Sequence, residues 1–347
     1  MNSRILWGVS GLVIGGGVFS YFALPHHAMA GPKIVAQKPV TMATPRSPFV
    51  LVFTEHKILP NQTDPAITDP NRQEYAYAPT GNRENGELLI FFPGSHSEPG
   101  DYSRIMAEGV SLGYHVIGVD YPNSQSMHDM CGNDLDCYAK ARREVFEGGD
   151  YSSVVAVNAN NSIRYRLLKL LAYLNTTYPT ESWGDFLQNG KIQWGKTALA
   201  GHSQGSGFAA YIAKTHNVAR VAMFSGVDDA NSVPTSAHWI TATHLTPIKR
   251  YYGFAHTQDT TFYPGTRANW KTLGVDALGA AQYADAASPP YGHSHELISS
   301  TMKFVDAATH GTIIISNPHN ATAADNATPV LNGVPCYRNA WRYVLGP

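Results

Sequence analysis

Hydrophobic residues along this chain form short, wholly apolar runs separated by stretches with helical spacing. The runs at 87–92 and 114–120 are typical of strands that are covered on both faces, because such strands lack polar alternation. Between them, residues 102–113 place apolar side chains on one face of a helix and end in Gly113. A strand, a helix and a second strand in this order predict two parallel strands.

The same alternation continues along the chain and predicts the α/β class. Further strands are expected at 49–53, 196–200, 220–224 and 248–252, with a weaker one at 280–284, and a long apolar helix face lies between Ile163 and Leu174. We therefore predict a mostly parallel sheet of about eight strands, with helices on both faces. No internal repeat is visible, so residues 49–347 are expected to form one domain after an extended lead-in at 31–48. The long excursion at 123–191 is expected to pack over the carboxyl edge of the sheet.

The amino terminus has the features of a signal peptide. Arg4 precedes an apolar run at 5–24, and Ala28-Met29-Ala30 offers small residues for cleavage. Residues 1–30 are therefore expected to be removed from a secreted or periplasmic protein. The alternative is a retained membrane anchor through residues 5–24, because the run is longer than most signal peptides contain.

Composition narrows the class of partner. Hydrophobic residues make up 43% of the chain and charged residues only 15%, and the formal net charge is −1. Since neither sign of charge dominates, nucleic acid is not an expected partner. A membrane is an expected partner only if residues 5–24 are retained.

Three cysteines follow the predicted signal peptide. Cys131 and Cys137 are spaced to close a small loop, and in an oxidising compartment we predict a disulfide between them. Cys336 is then left over, either as a small buried side chain or as a free thiol.

Residues 196–207 contain the strongest chemical signal. A short apolar run leads into Gly-His-Ser-Gln-Gly at 201–205, and a helical pattern follows. This is the strand, tight turn and helix context that a G-x-S-x-G nucleophile elbow requires, so Ser203 is the candidate nucleophile. The Gln204 N–H at the helix start is the first candidate donor to an oxyanion. The second is the Ser95 N–H in the turn after the 87–92 strand.

A serine nucleophile needs a histidine base and a carboxylate that orients the base. Asp259 follows the strand at 248–254, which is where the orienting acid is expected. Asp228 and Asp229, after the preceding strand, are the alternative acids.

For the base, we favour His295, which follows the last predicted strand and precedes a predicted helix start. His293 is the alternative. The two histidines and Glu296 also suggest a metal site, but residues two apart on a helix point to different faces. No metal and no cofactor is therefore expected.

The motifs together resemble those of the α/β-hydrolase superfamily, and more closely those of secreted bacterial members with poorly assigned substrates. The resemblance spans roughly residues 85–300, and it implies an eight-stranded sheet with Ser203 as nucleophile, Asp259 as acid and His295 as base. The stretches that carry the resemblance are 91–95, 116–123, the cysteine loop at 131–137, 194–207, 220–226 and the Ser294-His295 pair.

The expected function is that of a secreted serine hydrolase that cleaves carboxylic esters through an acyl-enzyme. Residues 226–247 are too few for a large helical cap, so the expected substrate is a small or polymeric ester reaching an open site. The alternatives are a lipase or peptidase with the same triad, or a catalytically silent binding protein of hydrolase-like fold.

Overall fold

A nine-stranded sheet organises the part of the chain that the computed structural model describes, residues 40–42, 53–81, 83–307 and 309–346. Smaller pairings involve the remaining strands. In chain order the strands are β1 (Val40–Met42), β2 (Phe53–Ile58), β3 (Glu74–Pro79), β4 (Leu88–Phe92), β5 (His115–Gly118), β6 (Leu187–Gln188), β7 (Lys191–Ile192), β8 (Thr197–His202), β9 (Arg220–Phe224), β10 (Tyr251–His256), β11 (Gln282–Tyr283), β12 (Glu296–Ser299), β13 (Lys303–Asp306), β14 (Thr312–Ile314), β15 (Val330–Leu331) and β16 (Val334–Pro335).

The strand order of the large sheet is β11-β12-β10-β9-β8-β4-β5-β3-β2. Strand β3 pairs antiparallel with both β5 and β2, and every other neighbouring pair in this sheet is parallel. The predicted α/β class with a mostly parallel sheet is therefore confirmed. The described sheet has nine strands, where about eight were expected, and β3 and β12 were not predicted. Of the strand predicted at 49–53, residues 49–52 lie outside the described part of the chain, and Phe53 begins β2.

Helices cover both faces of the sheet. Along β4, Leu88, Ile90 and Phe92 pack on one face, and Leu89 and Phe91 pack on the other. The helices are α1 (Pro60–Thr63), α2 (Ser103–Ser111), α3 (Met127–Cys131), α4 (Cys137–Glu147), α5 (Ile163–Thr177), α6 (Gln204–Thr215), α7 (His238–Thr241), α8 (Tyr263–Leu273), α9 (Pro318–Ala321) and α10 (Arg338–Leu345). Helices α4, α5 and α6 lie on the Leu88 face, and α2 and α10 lie on the Leu89 face. Their apolar stripes bury the sheet from both sides.

Two elements differ from the expected pattern near the predicted triad. The strand expected at 248–252 begins three residues later, as β10 (Tyr251–His256), because residues 248–250 form a 3₁₀ turn. Residues 296–299, expected to open a helix, instead form the buried strand β12, which pairs in parallel with β10 so that Glu296 faces Gly253. The pairing with β10 supplies backbone hydrogen bonds that a local pattern does not reveal.

The predicted disulfide between Cys131 and Cys137 is confirmed, and it joins the end of α3 to the start of α4. Cys336 is free and partly buried, and burial raises the pKa of its thiol. The predicted signal peptide at 1–30 lies outside the described residues. Within the described ranges, none of the helices is both long and apolar enough to cross a membrane. Of the expected lead-in, the structure describes only β1, which pairs in parallel with β13.

Candidate active site

Ser203 lies in a strained turn between β8 and α6. Residues other than glycine rarely adopt its backbone angles, a φ of 54° and a ψ of −122°. Such backbone strain is typical of functional positions. The flanking glycines have steric reasons. A Cβ at Gly201 would collide with the backbone of Gly205, and one at Gly205 would collide with the carbonyl oxygens of Phe92 and Pro93. The turn therefore has the strained serine and the close backbone packing at both glycines that the predicted G-x-S-x-G elbow requires.

His319 and Asp259 form a hydrogen-bonded pair beside this turn. His319 Nδ1 lies 2.6 Å from Asp259 Oδ2. Asp259 Oδ1 also accepts the Phe262 N–H at 3.2 Å, so both carboxylate oxygens have partners. The side chains of His319 and Asp259 are only 13% and 8% exposed, which limits competition from water. Since Nδ1 faces a carboxylate, it carries the proton and Nε2 is left as the basic nitrogen.

Ser203 and His319 line the same cavity, whose volume is about 250 Å³. Within the described residues no hydrogen-bond partner occupies His319 Nε2. The His319 ring packs against Phe262, with centroids 4.7 Å apart. Ten of the fifteen residues that line the cavity are serine, histidine or aspartate. The loop carrying α3 contributes one wall through residues 126–129, as expected for part of the long excursion.

His202, the residue before Ser203, is buried and uncharged. Burial, and secondly the neighbouring His319 imidazole, lowers the pKa of His202 to about 3. Its Nε2 lies 3.0 Å from the His319 carbonyl oxygen, so Nε2 is the protonated nitrogen. Nδ1 then accepts the Tyr102 hydroxyl at 3.0 Å. His202 thereby fixes the backbone of His319.

Ser95 and Gln204, whose N–H groups are the candidate oxyanion donors, both line the cavity and are in contact. The Gln204 N–H is the first of helix α6, and Ser95 Oγ donates to Gln204 Oε1 at 2.8 Å. The Gly94 N–H is occupied, because it donates to the Tyr102 hydroxyl at 3.1 Å. In the described part of the chain the Ser95 N–H has no acceptor, so it is free to face a ligand.

The alternative acids occupy different places. Asp229 is fully buried, and both of its oxygens accept from the Arg142 guanidinium, with Nε at 2.6 Å from Oδ2. Arg142 Nη1 in turn donates to the Gln204 carbonyl at 3.2 Å, so this pair supports the start of α6 from behind. Asp228 lines the cavity, and burial and the neighbouring Asp229 carboxylate raise its pKa. Of the three candidate acids, Asp259 is the one hydrogen-bonded to a histidine.

The structure does not bring His295 to Ser203, and this corrects the predicted base. His295 immediately precedes β12, so it lies at the amino end of a strand that runs parallel to β10, whereas Ser203 follows the carboxyl end of β8. His295 Nδ1 is hydrogen-bonded to the Tyr251 carbonyl at 2.9 Å, and its ring stacks on Tyr252.

His293 and Glu296 are not at the cavity either. His293 is exposed, and Glu296 Oε2 pairs with Arg267 Nη1 at 2.6 Å. Among the described residues no group of three or more histidine, cysteine, aspartate or glutamate side chains is arranged to hold a metal ion.

His319 was missed because chain order alone admits any histidine after Asp259. The local signal was present in Asn317-Pro318, since Asn317 caps α9 by accepting the Asn320 N–H at 3.0 Å and Pro318 occupies the first helical position. Such a cap predicts a helix start, and His319 lies in the first turn of that helix. It does not predict which end of the sheet the helix meets.

No family model matches this chain, and no curated protein matches it. The function is therefore inferred from the geometry of Ser203, His319 and Asp259.

Proposed function

We propose that this chain is a serine hydrolase that cleaves carboxylic esters through an acyl-enzyme. The observation that carries the proposal is the strained Ser203 turn in one cavity with the His319–Asp259 pair. A serine hydroxyl is a weak nucleophile at neutral pH, and an oriented neutral imidazole is the group that activates it.

In the proposed reaction, Ser203 Oγ attacks the ester carbonyl carbon while its proton passes to His319 Nε2. Asp259 holds the ring in the tautomer with Nε2 free and stabilises the imidazolium that forms. The Ser95 and Gln204 N–H groups accommodate the developing oxyanion. The alcohol leaves with the proton from His319. A water molecule then attacks the acyl-enzyme with His319 as base, which releases the acid and restores Ser203.

The cavity favours a short acyl group over a long one. Its volume of about 250 Å³ is below the range that holds a drug-sized ligand. Met127 and Phe262 are the large apolar side chains among its lining residues, and none of those lining residues is leucine, isoleucine or valine. A long alkyl chain would therefore exceed the cavity and cover serine, histidine and aspartate side chains of its lining, at a cost that a short acyl group avoids.

Covalent labelling tests the nucleophile. We expect a fluorophosphonate probe to label the wild-type protein on Ser203, and Ser203→Ala to abolish the labelling. Thermal unfolding of the variant serves as the control for folding. Absence of label on the folded wild type, or equal labelling of Ser203→Ala, would contradict the proposal and favour a silent binding protein.

A substrate series tests the reaction class. Chromogenic esters of increasing acyl length, with peptide amides beside them, should give the highest kcat/KM for the shortest acyl groups. Turnover of amides alone would indicate a peptidase, and a rise with acyl length would indicate a lipase.

We also propose the α/β-hydrolase fold and export from the cytoplasm. The fold proposal is supported by the single antiparallel strand β3 near one edge, the elbow after β8 and the acid after β10. Export is supported by the disulfide, since such bonds persist in oxidising compartments. The amino-terminal sequence of the mature protein tests export, with a start near Gly31 expected.

A further inference from the structure

The segment that carries the Ser95 N–H has little regular structure of its own. Residues 94–97, here called the donor loop, follow β4 without forming a helix or strand. Within it, His96 has a φ of 61°, which is unfavourable for a residue with a side chain. A loop of this kind needs contacts from elsewhere to hold one N–H in a defined direction.

Asn123, from the loop after β5, supplies those contacts. Its side-chain Nδ2 donates to the carbonyl oxygens of Gly94 and Ser97, both at 2.7 Å. Its backbone carbonyl oxygen accepts the His96 N–H at 2.9 Å. One residue thus binds three of the four residues of the donor loop. The Ser95 N–H is left out of this set. Asn123 is 2% exposed, which limits competition from water for these bonds.

Arg72 orients the Asn123 amide. Arg72 Nη2 donates to Asn123 Oδ1 at 2.7 Å, so the oxygen faces the guanidinium and both Nδ2 hydrogens face carbonyls. Arg72 Nη1 also donates to the Ser97 carbonyl at 3.1 Å. Arg72 is in turn held by the fully buried Asp120, whose two oxygens accept Nε and the backbone N–H at 2.9 Å each. The bonds that Arg72 makes to Asn123, Ser97 and Asp120 are charge-assisted.

We propose that Asn123 is a positioning residue that sets the direction of the Ser95 N–H toward the oxyanion. This inference rests on the proposed function. Asn123 acts on the loop backbone and is absent from the residues that line the cavity, so its loss should affect the transition state more than substrate binding.

The test uses the purified full chain with Asn123→Ala and Asn123→Asp. Asn161→Ala is the matched control, because Asn161 is also a buried amide that holds a loop, through the N–H groups of Thr68 and Asp69. The readouts are kcat and KM for a chromogenic ester, and the Ki of a trifluoromethyl ketone whose tetrahedral adduct carries the oxyanion.

We expect Asn123→Ala to lower kcat about 10- to 100-fold and to raise Ki by a similar factor, while KM changes by less than about 3-fold. Asn123→Asp presents an oxygen to two carbonyls and should lower kcat at least as much. Asn161→Ala should keep both kcat and Ki. Unchanged kcat and Ki in folded Asn123→Ala, or equal losses in Asn161→Ala, would overturn the inference.

If Asn123→Ala does not fold, Arg72→Lys provides the second variant. It keeps a positive charge beside Asp120 but loses the fork that reaches Asn123, so a smaller loss of kcat with a matching rise in Ki is expected. Unchanged values would overturn the inference. A wild type that neither labels nor turns over ester would overturn the proposed function with it, whereas an active wild type indifferent to Asn123 would overturn the inference alone.

Discussion

Two histidine regions of this molecule satisfy the same chain order and have opposite surroundings. His319 lies at the cavity with Ser203, and its Nδ1 faces the Asp259 carboxylate. His295 lies at the amino end of β12, and its Nδ1 faces the Tyr251 carbonyl oxygen. Since a strand rises about 3.3 Å per residue, His295 is roughly 13 Å from the level of Ser299, where β12 ends. Which end of a parallel strand a histidine meets therefore separates a candidate base from a structural residue.

The hydrogen-bond partners of the His319 and His295 rings also suit one ring to accept a proton and the other to stay neutral. A carboxylate stabilises an imidazolium, whereas a backbone carbonyl fixes a tautomer and adds little stabilisation of charge. His295 stacks on Tyr252, and the guanidinium carbon of Arg220 lies 3.7 Å from the centroid of the Tyr252 ring. Burial lowers the pKa of His295, as expected of an imidazole that packs as a neutral group.

The largest expected difference is between removal of the His319 imidazole and removal of the His295 imidazole. His319→Ala should lower kcat for a chromogenic ester by about 10⁵- to 10⁶-fold, because the serine then has no base. His295→Ala should leave kcat within about 3-fold of wild type, since His295 only supports packing. Steady-state kinetics measure both variants. A loss in His295→Ala as large as that in His319→Ala would contradict the comparison.

The next effect concerns the carboxylates. Asp259→Asn should lower kcat about 10³- to 10⁴-fold, because an amide no longer selects the tautomer with Nε2 free. Asp228→Asn should cost less than about 10-fold, since Asp228 lines the cavity without a hydrogen bond to His319. A reversed order of the two losses would make Asp228 the acid.

Replacing a glycine in each region with alanine should lower the free energy of unfolding by different amounts. Gly205→Ala places a Cβ against two backbone carbonyl oxygens and should lower the free energy of unfolding by up to about 3 kcal/mol, with a loss of activity. Gly292, near His293, has open space around its Cβ position and only a φ of 59° to oppose a side chain. Gly292→Ala should therefore cost about 1 kcal/mol and leave kcat unchanged. Urea unfolding measures both, and a larger cost at Gly292 would refute the steric account of the elbow.

The last expected effect is the loss of stability in acid that His202 causes. Its pKa is lowered to about 3 in the folded protein, so the unfolded chain binds a proton first as pH falls below about 6.5. The stabilisation is complete above pH 6.5 and is lost toward pH 3. Between pH 6.5 and 5 the free energy of unfolding falls by about 2 kcal/mol.

His202→Gln removes the titrating ring and keeps an amide near the His319 carbonyl. The loss of unfolding free energy between pH 6.5 and 5 should therefore shrink by about 2 kcal/mol in this variant. His295→Gln should reduce the loss by a smaller amount, because His295 is less buried than His202. Equal changes in the two variants would show that burial of His202 is not the cause.

Much of the sheet was predictable because its strands are continuous apolar runs. Strand β9 was found with the expected bounds, and β4 and β5 within two residues of theirs. Strand β3 was missed because its Glu-Tyr-Ala-Tyr-Ala-Pro sequence has small and polar residues, and its strand structure depends on antiparallel pairing with β2 and β5. Pairing across the sheet joins residues far apart in sequence, which a local pattern does not report.

At the candidate site, the positions of the proposed nucleophile and acid were predictable from the sequence, and the position of the proposed base was not. Ser203 and Asp259 each follow a strand that the apolar pattern predicts, so their sheet edge follows from their order in the chain. His319 follows small strands outside the main sheet, and its placement depends on Asp259 Oδ2 and on the His202 ring. These contacts span 60 and 117 residues along the chain.

The amino-acid sequence by itself determined the features that short-range sterics control. The turn at Ser203 exists because Gly201 and Gly205 leave room for neighbouring backbone, and the Cys131–Cys137 loop is short enough to close. Only the tertiary structure decided which histidine meets Asp259 and which asparagine holds the donor loop. The parallel pairing of β4 and β5 brings the Asn123 loop and the donor loop to one edge of the sheet, whereas contacts with Asp259 and His202 place His319.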